Sequence, residues 1–361
     1  MPAPLHALDA VTHPDPYPFY QQLRRQPPLH FDTHNRLWIA SRAEVVAEAF
    51  AHPALRVRPP QEPVPRALAG TAAREVFALL VRMNDGAFHA QHRPAVAAAA
   101  ARWSLPQVHE ASRAAVPALR EALDVNDFLT ALPVAVMARL LGVPTAQQGL
   151  TVQWVHDFTR GIAPGASAEA VAQGVAAAQH LMAQGQALGL DRVQAANRVA
   201  LMQQSLDATA GLLGNTACLL RQQPGLGETL AASMDQARLL VAEVARWDAP
   251  VQNTRRYAAQ DTVLAGQPLR QGEGVLLVVA SANRDEALNP QPERFEAQRA
   301  HRRSFTFGAA AHACPGEAIA IEIVASCVQL DWTSGGFDSF FGRCTGYRPL
   351  SNVRIPVFSV D

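Results

Sequence analysis

A chain with 26 prolines in 361 residues has few places for a long uninterrupted helix, and the run 191–221 stands out because it contains none. Val199, Leu206, Leu212, Leu213 and Leu220 recur along it at helical intervals, so the spacing predicts one long helix. The rest of the chain is punctuated around it. Prolines at 14, 16, 18, 27 and 28 frame a short polar helix, residues 29–32 and 37–40 read as a β-hairpin about a polar turn, and Ser41 is placed to cap a helix over 43–51. Five further prolines make 53–70 a loop long enough to expect a function for it. Two helices are expected over 104–148, the second covering 128–141 before Gly142 and Pro144. Two more over 153–190, parted at Gly161, Pro164 and Gly165, have the make-up of a mobile lid. A helix over 235–247, strands at 262–264 and 275–279, an irregular stretch at 331–342 and a hairpin over 347–357 close the chain. With no repeat and no low-complexity linker, the expected fold class is mainly α with small β-sheets, in one domain over 1–361.

Charge and cysteine content narrow the function. Basic and acidic residues balance at 31 each, and every basic one is arginine, so no net excess is present to neutralise phosphates and a nucleic-acid partner is not indicated. Cys218, Cys314, Cys327 and Cys344 form no C-x-x-C pair, which fits a reducing, cytoplasmic setting. The N-terminus lacks a basic stretch followed by an apolar run, and no segment of membrane-spanning character follows, so no membrane association is expected.

Cys314 sits in a loop of small residues, with Pro315, Gly316 and an Ala/Ile-rich run over 317–328 behind it that reads as a helix. A thiol at a helix N-terminus meets free backbone N–H groups and the positive end of the dipole, both of which favour a thiolate. With no second cysteine beside it, that sulfur suits one soft metal centre, and haem iron accepts a lone cysteine thiolate. A buried structural cysteine is the plainer alternative. The segment Phe307-Gly308-Ala309-Ala310-Ala311-His312-Ala313-Cys314-Pro315-Gly316 resembles the haem-binding loop of the cytochrome P450 family. The resemblance implies haem b (iron protoporphyrin IX) with Cys314 as the iron ligand, Phe307 near the sulfur, His312 reaching a propionate, and Gly308 and Gly316 shaping the loop. Ala310 departs from the pattern, standing where the family usually has another glycine.

The resemblance runs over roughly 14–357. His89 and Arg93, four apart and so on one helix face, match the family's propionate-holding pair, although a solvated helix face would look the same and Pro94 is unusual there. Within the long helix, Gln204-Ser205-Leu206-Asp207-Ala208-Thr209 matches the oxygen-activating segment, with Asp207 as the acid but Ala208 where a threonine is expected. One residue along a helix turns a side chain by about 100°, so Thr209 is no simple substitute. Gln204, Ser205, a water or a substrate hydroxyl then carries the proton relay, or the chemistry runs without it; Asp207 paired with an arginine is the bland alternative. Glu243 and Arg246 match a buried Glu-x-x-Arg lock, with Arg299 as the candidate third member. Residues 248–257 resemble the strand beside the substrate pocket, making Asn253 and Thr254 pocket candidates and Arg256 a propionate ligand, with Arg255 as fallback. His301, Arg302 and Arg303 either dock an acidic electron donor or form a solvated loop.

The family resemblance thus implies a cytochrome P450 fold with the long helix over the haem. Its implied activity is a monooxygenase that takes electrons from a ferredoxin and ferredoxin reductase to oxidise a small, biosynthetic molecule, free or carrier-bound. The missing threonine keeps open atypical haem-thiolate chemistry: peroxide-driven oxidation, dehydration or a nitrogen-oxide reaction. A non-catalytic relative that recruits a partner is the third reading. The span between Arg93 and Asp207 is shorter than usual for the family, which implies trimmed helices and a small or open pocket.

Overall fold

The computed structural model describes residues 3–360. Helix α1 (Tyr17–Arg25) leads into the hairpin β1 (Leu29–Asp32) and β2 (Leu37–Ala40), then α2 (Ala43–Ala51) and the two-residue strand β3 (Leu55–Arg56). A helical stretch follows: α3 (Ala72–Leu79), α4 (Gly86–Ala101), α5 (Leu105–Ala122), α6 (Val125–Leu140), α7 (Thr145–Gly161), α8 (Ala168–Ala187), α9 (Arg192–Gln222), α10 (Gly227–Ala232) and α11 (Met234–Trp247). Strands β4 (Thr254–Ala258), β5 (Thr262–Leu264), β6 (Gln267–Leu269) and β7 (Gly274–Leu277) precede α12 (Val279–Asn283), α13 (Glu317–Thr333) and α14 (Phe337–Phe340). The pair β8 (Cys344–Tyr347) and β9 (Pro356–Phe358) completes the order.

The long proline-free run is α9. Asp191 opens it with a capping box: its side chain accepts from the Gln194 N–H at 2.9 Å while Gln194 accepts from the Asp191 N–H at 3.1 Å. The helix stops just before Pro224, which restrains the residue ahead of it away from helical geometry. Helices α6, α8 and α13 pack along α9, and residues 195–200 and 209–220 are buried on every side. Gly211 and Gly214 bring the C-terminal segment against the helix: a Cβ at Gly211 would lie 2.6 Å from the Arg354 carbonyl oxygen, and one at Gly214 would lie 2.7 Å from Pro356 Cδ.

Strands assemble in the order β1-β2-β7-β4-β3, antiparallel throughout except for β2 with β7. A parallel pair needs a long crossover, and here the crossover is the whole helical body. Alternation along β4 buries Arg256 and Ala258 and leaves Arg255 and Tyr257 half-buried, so the two candidate arginines point to opposite faces. The two ends of the chain are tied together. Arg354 donates to the carbonyls of Val11, His13 and Pro14, and the Tyr17 hydroxyl donates to Asp248 at 2.8 Å.

Several local expectations are corrected. Ser41 does not cap α2: Arg42 holds the cap position, and the Ala43 N–H donates instead to Asp285 Oδ2 at 2.9 Å, a partner distant in sequence. The loop at 53–70 contains β3 and a 3₁₀ turn at Arg66–Leu68. The strand expected over 275–279 ends at Leu277, and Val279 already belongs to α12. Residues 331–342 are largely helical, and the closing hairpin pairs 344–347 with 356–358 because Pro349 has no N–H to give a ladder.

Glu243 and Arg246 on α11 are both fully buried and share two hydrogen bonds, 3.0 and 2.7 Å. Arg299 joins the same carboxylate at 3.1 Å, as expected, and so does Arg302, also at 3.1 Å. Arg302 therefore belongs to the lock and not to an outward basic cluster. Spare guanidinium hydrogens go to the carbonyls of Pro290, Pro292, Arg294 and Ala297, which holds an otherwise irregular segment in shape.

Candidate active site

The Cys314 loop is built by backbone geometry. Gly308 has φ of 71° and donates to the Phe305 carbonyl at 2.8 Å; the Cys314 N–H donates to the Phe307 carbonyl at 2.7 Å. The Gly316 N–H points at Cys314 Sγ at 3.4 Å, and α13 begins at the next residue. Gly316 itself has φ of −103°, so its backbone needs no glycine and the sequence reading of its role is corrected. Ala310 does adopt the left-handed region, with φ of 54°, at the position where a glycine would be unstrained. Ala310→Gly is expected to raise the denaturation midpoint, by about 0.5–1 kcal/mol after the added freedom of the unfolded glycine is discounted. A lowered midpoint would mean that the methyl group is packed and not strained.

The expected preference for a thiolate is not met by the protein alone. Burial pushes the Cys314 thiol up, and the Gly316 N–H with Arg82 and Arg93 offsets only part of this. A coordinated metal would remove that proton outright.

Cationic side chains gather around the loop. From α4, His89 is buried and meets the His312 ring at a tilt of 43° with centroids 4.3 Å apart, while Arg93 donates to the Ala313 carbonyl. Helix α4 continues through Pro94, so the pair keeps its common face. His312 Nε2 lies 3.0 Å from Asp85 Oδ1. Arg256 donates only to the Arg255 carbonyl and lies over the Phe50 ring; burial pulls its pKa down to about 10. Arg82, from the 3₁₀ turn Val81–Met83, was not anticipated from the sequence. It makes no hydrogen bond or ion pair among the described residues and its side chain is exposed, while its charge acts on Cys314 and on Asp207. Asp85 was missed too; it holds the Val57 N–H as well as His312, and its position at the start of α4 was the available signal.

Only between residues 201 and 208 does the core of α9 loosen: Leu201, Gln203, Gln204, Ser205, Asp207 and Ala208 are half-buried. The window carries Asp207, which lies within electrostatic reach of Arg82. Gln204 and Ala208, one turn apart, lie on one face. Burial raises the Asp207 carboxyl above the usual range, against the pull of Arg348 and Arg82. Thr209 is 2% exposed and turned into the core, and the Ser205 hydroxyl is bonded to the Met202 carbonyl at 2.7 Å. Asn253 is not an open pocket residue: it is 2% exposed and donates to the Ser351 carbonyl at 2.9 Å. Its neighbour Thr254 is half-buried at the start of β4.

Residues 224–327, which include Glu243, Arg246, Arg256 and Cys314, match the family model described as cytochrome P450. Over this stretch the chain matches the cytochrome P450 family, and curated relatives and solved structures of that family support the assignment over more of the chain. Cytochrome P450 165C4 of Amycolatopsis orientalis is 36% identical over 37% of this chain and 33% of its own length. The 20-oxo-5-O-mycaminosyltylactone 23-monooxygenase of Streptomyces fradiae is 26% identical over 79% of this chain and 73% of its own. Among solved structures, P450BioI in complex with an acyl carrier protein ligated to hexadec-9Z-enoic acid superposes with a TM-score of 0.81 at 22% identity, covering 97% of each chain. CalO2 superposes at 0.80 and 24%, covering 98% of this chain and 97% of its own. The fold is that of the family, helix-rich with small sheets.

Haem b is the cofactor of cytochrome P450 proteins, and the residues present fit it. Three guanidiniums (Arg82, Arg93, Arg256) and two imidazoles converge on the loop, and none of the three arginines has an acid within ion-pair distance among the described residues. Arginines left without an acid, one of them the buried Arg256, suit an anionic guest, and a porphyrin brings two carboxylates. A soft sulfur in the middle of the same group suits its iron.

Proposed function

We propose that the protein is a haem-thiolate monooxygenase acting on a small organic substrate, with Cys314 as the axial ligand. The observation that carries this reading is the meeting of His89, Arg93 and His312 at the Cys314 loop, with Arg256 within electrostatic reach of Asp85, the partner of His312. Haem supplies O2 activation and oxygen insertion, and a thiolate ligand promotes O–O cleavage. The protein's part is to clamp and to orient. His89, Arg93, His312 and Arg256 hold the propionates; Phe307 and Gly308 shape the loop; Glu243, Arg246 and Arg299 fix the segment that carries it. Arg303 and His301 remain exposed near the loop and would meet an acidic ferredoxin. A biosynthetic substrate, free or carrier-bound, is favoured by the printed activities of the relatives. Turnover with ferredoxin, ferredoxin reductase, NADPH and isotopically labelled O2 should put one labelled oxygen in the product. More product with peroxide alone would favour the peroxide-driven reading.

That second reading has its own support. Thr209 faces the core, Ser205 is bonded to its helix and Ala208 has no hydroxyl, so no side-chain alcohol stands ready beside Asp207. Proton delivery then falls to Asp207, whose raised pKa keeps more of it protonated, through water or Gln204. Asp207→Asn is expected to slow reductase-driven turnover by about a hundredfold, while peroxide-driven turnover changes little. Ala208→Thr should raise the share of reducing equivalents recovered as product. If both variants behave as wild type, the protons arrive by another route.

A further inference from the structure

The charge balance at the site leaves one cation over. A porphyrin presents two carboxylates, and Arg93 and Arg256 already match them in number; Arg82 is an additional guanidinium with no partner of its own among the described residues. Its turn is not free to swing it away. The Val81 N–H donates to Asn197 Oδ1 on α9 at 3.0 Å, and Asn197 Nδ2 returns a bond to the Leu79 carbonyl at 2.9 Å. On the other side of Arg82, Asn84 Nδ2 holds the carbonyls of Ala78 and Leu80 at 3.0 and 2.8 Å. The turn is thus bolted to the central helix three residues ahead of Asp85, which meets His312 of the Cys314 loop, and the guanidinium lies within electrostatic reach of both Cys314 and Asp207.

Arg82 has no acid to pair with among the described residues, although its charge acts on Cys314 and on Asp207. Asp207 is within electrostatic reach, but it makes no ion pair with Arg82 and its own burial favours the neutral acid. The planar fork of arginine is matched to a carboxylate, which it can hold with two parallel hydrogen bonds. We propose that Arg82 is a substrate-binding residue that recognises the carboxylate of a free organic acid, so that the enzyme oxidises carboxylic acids held by their charged end. This rests on the monooxygenase reading and specifies its substrate class. The carboxylate has two sources, the substrate or the porphyrin, and the test must separate them.

Haem-loaded wild type and Arg82→Gln would be titrated with dodecanoic acid and 3-phenylpropanoic acid, each against its methyl ester, reading the spin-state shift of the Soret band. The same titrations would be followed by calorimetry on protein with and without haem. At least one acid should bind wild type about tenfold or more tightly than its ester, the worth of a charge-assisted hydrogen-bond pair. Arg82→Gln should erase that preference through loss of acid affinity alone, with haem content and the rate of haem loss to apomyoglobin unchanged. Esters that bind as well as acids would overturn the proposal and point to a neutral, carrier-bound thioester. A variant that keeps its acid preference also overturns it. Accelerated haem loss with the acid preference intact would assign Arg82 to the porphyrin's own carboxylate. If wild type takes up no haem, the monooxygenase reading fails, and the calorimetric acid-to-ester ratio still decides on Arg82.

Discussion

Cys314→Ser is expected to abolish the red-shifted Soret band that reduced, CO-bound haem-thiolate proteins display, and to take reductase-driven turnover to background. The sulfur is the only soft donor in the loop, and its setting explains why no neighbour replaces it. The Cys314 N–H and the Gly316 N–H are directed at the Phe307 carbonyl and at Sγ, so the backbone is shaped around this one atom. A serine hydroxyl would fit there, but it is a hard, weakly acidic donor that iron accepts poorly in a thiolate's stead. Cys344→Ser provides the control and should leave the band unaltered, because Cys344 lies on β8 beside the Gly346 carbonyl and away from the loop. Survival of the band in Cys314→Ser would show the ligand to be misassigned.

Glu243→Gln should cost about 3–5 kcal/mol of stability, the range expected when one partner of a buried ion pair is removed. The carboxylate is fully buried among Arg246, Arg299 and Arg302, and without its charge three guanidiniums face one another across a neutral amide. Denaturation monitored by circular dichroism would give the loss directly. Acid should reproduce it. Burial alone would raise the Glu243 pKa, yet the three arginines hold it below the ordinary carboxylate range. A carboxyl with a folded pKa below its unfolded one lends stability above the unfolded value, about 4.3, and loses it as pH falls through the folded value. The wild type should therefore weaken below that point, and Glu243→Gln should lack that part of the acid dependence. A variant as stable as wild type would mean that the arginines are satisfied by the backbone carbonyls alone.

What the sequence disclosed follows a physical division. Periodicity and proline placement located α9, α6, α11 and the first hairpin closely, because each is fixed by local propensity and by its own apolar spacing. His89 with Arg93, and Glu243 with Arg246, were legible because helical geometry alone puts their side chains together. Arg302 and Arg82 were not. One is drawn inward by a carboxylate some sixty positions away, and the other matters only because a turn is pinned to α9 by Asn197. Neither relation leaves a trace in the neighbouring residues. The same holds for Asn253, whose polar side chain suggested a pocket but serves the Ser351 carbonyl. Ala310 is the converse case: a departure visible in the letters became a strained torsion in the fold.

The binding of Arg354 to the carbonyls of Val11, His13 and Pro14, together with the parallel seat of β2 on β7, has a consequence for biosynthesis. A ribosome delivers residues in chain order, so the first hairpin gains its neighbour only when residues 274–277 emerge, and the segment 11–14 ahead of it gains its anchor only when Arg354 does. During that interval β2 offers an open edge, with Trp38 and Ile39 uncovered, to any other nascent chain. Slower elongation or a holding chaperone would shield that edge, so recovery of intact protein from a host cell should depend on growth temperature more than the stability of the finished molecule would suggest.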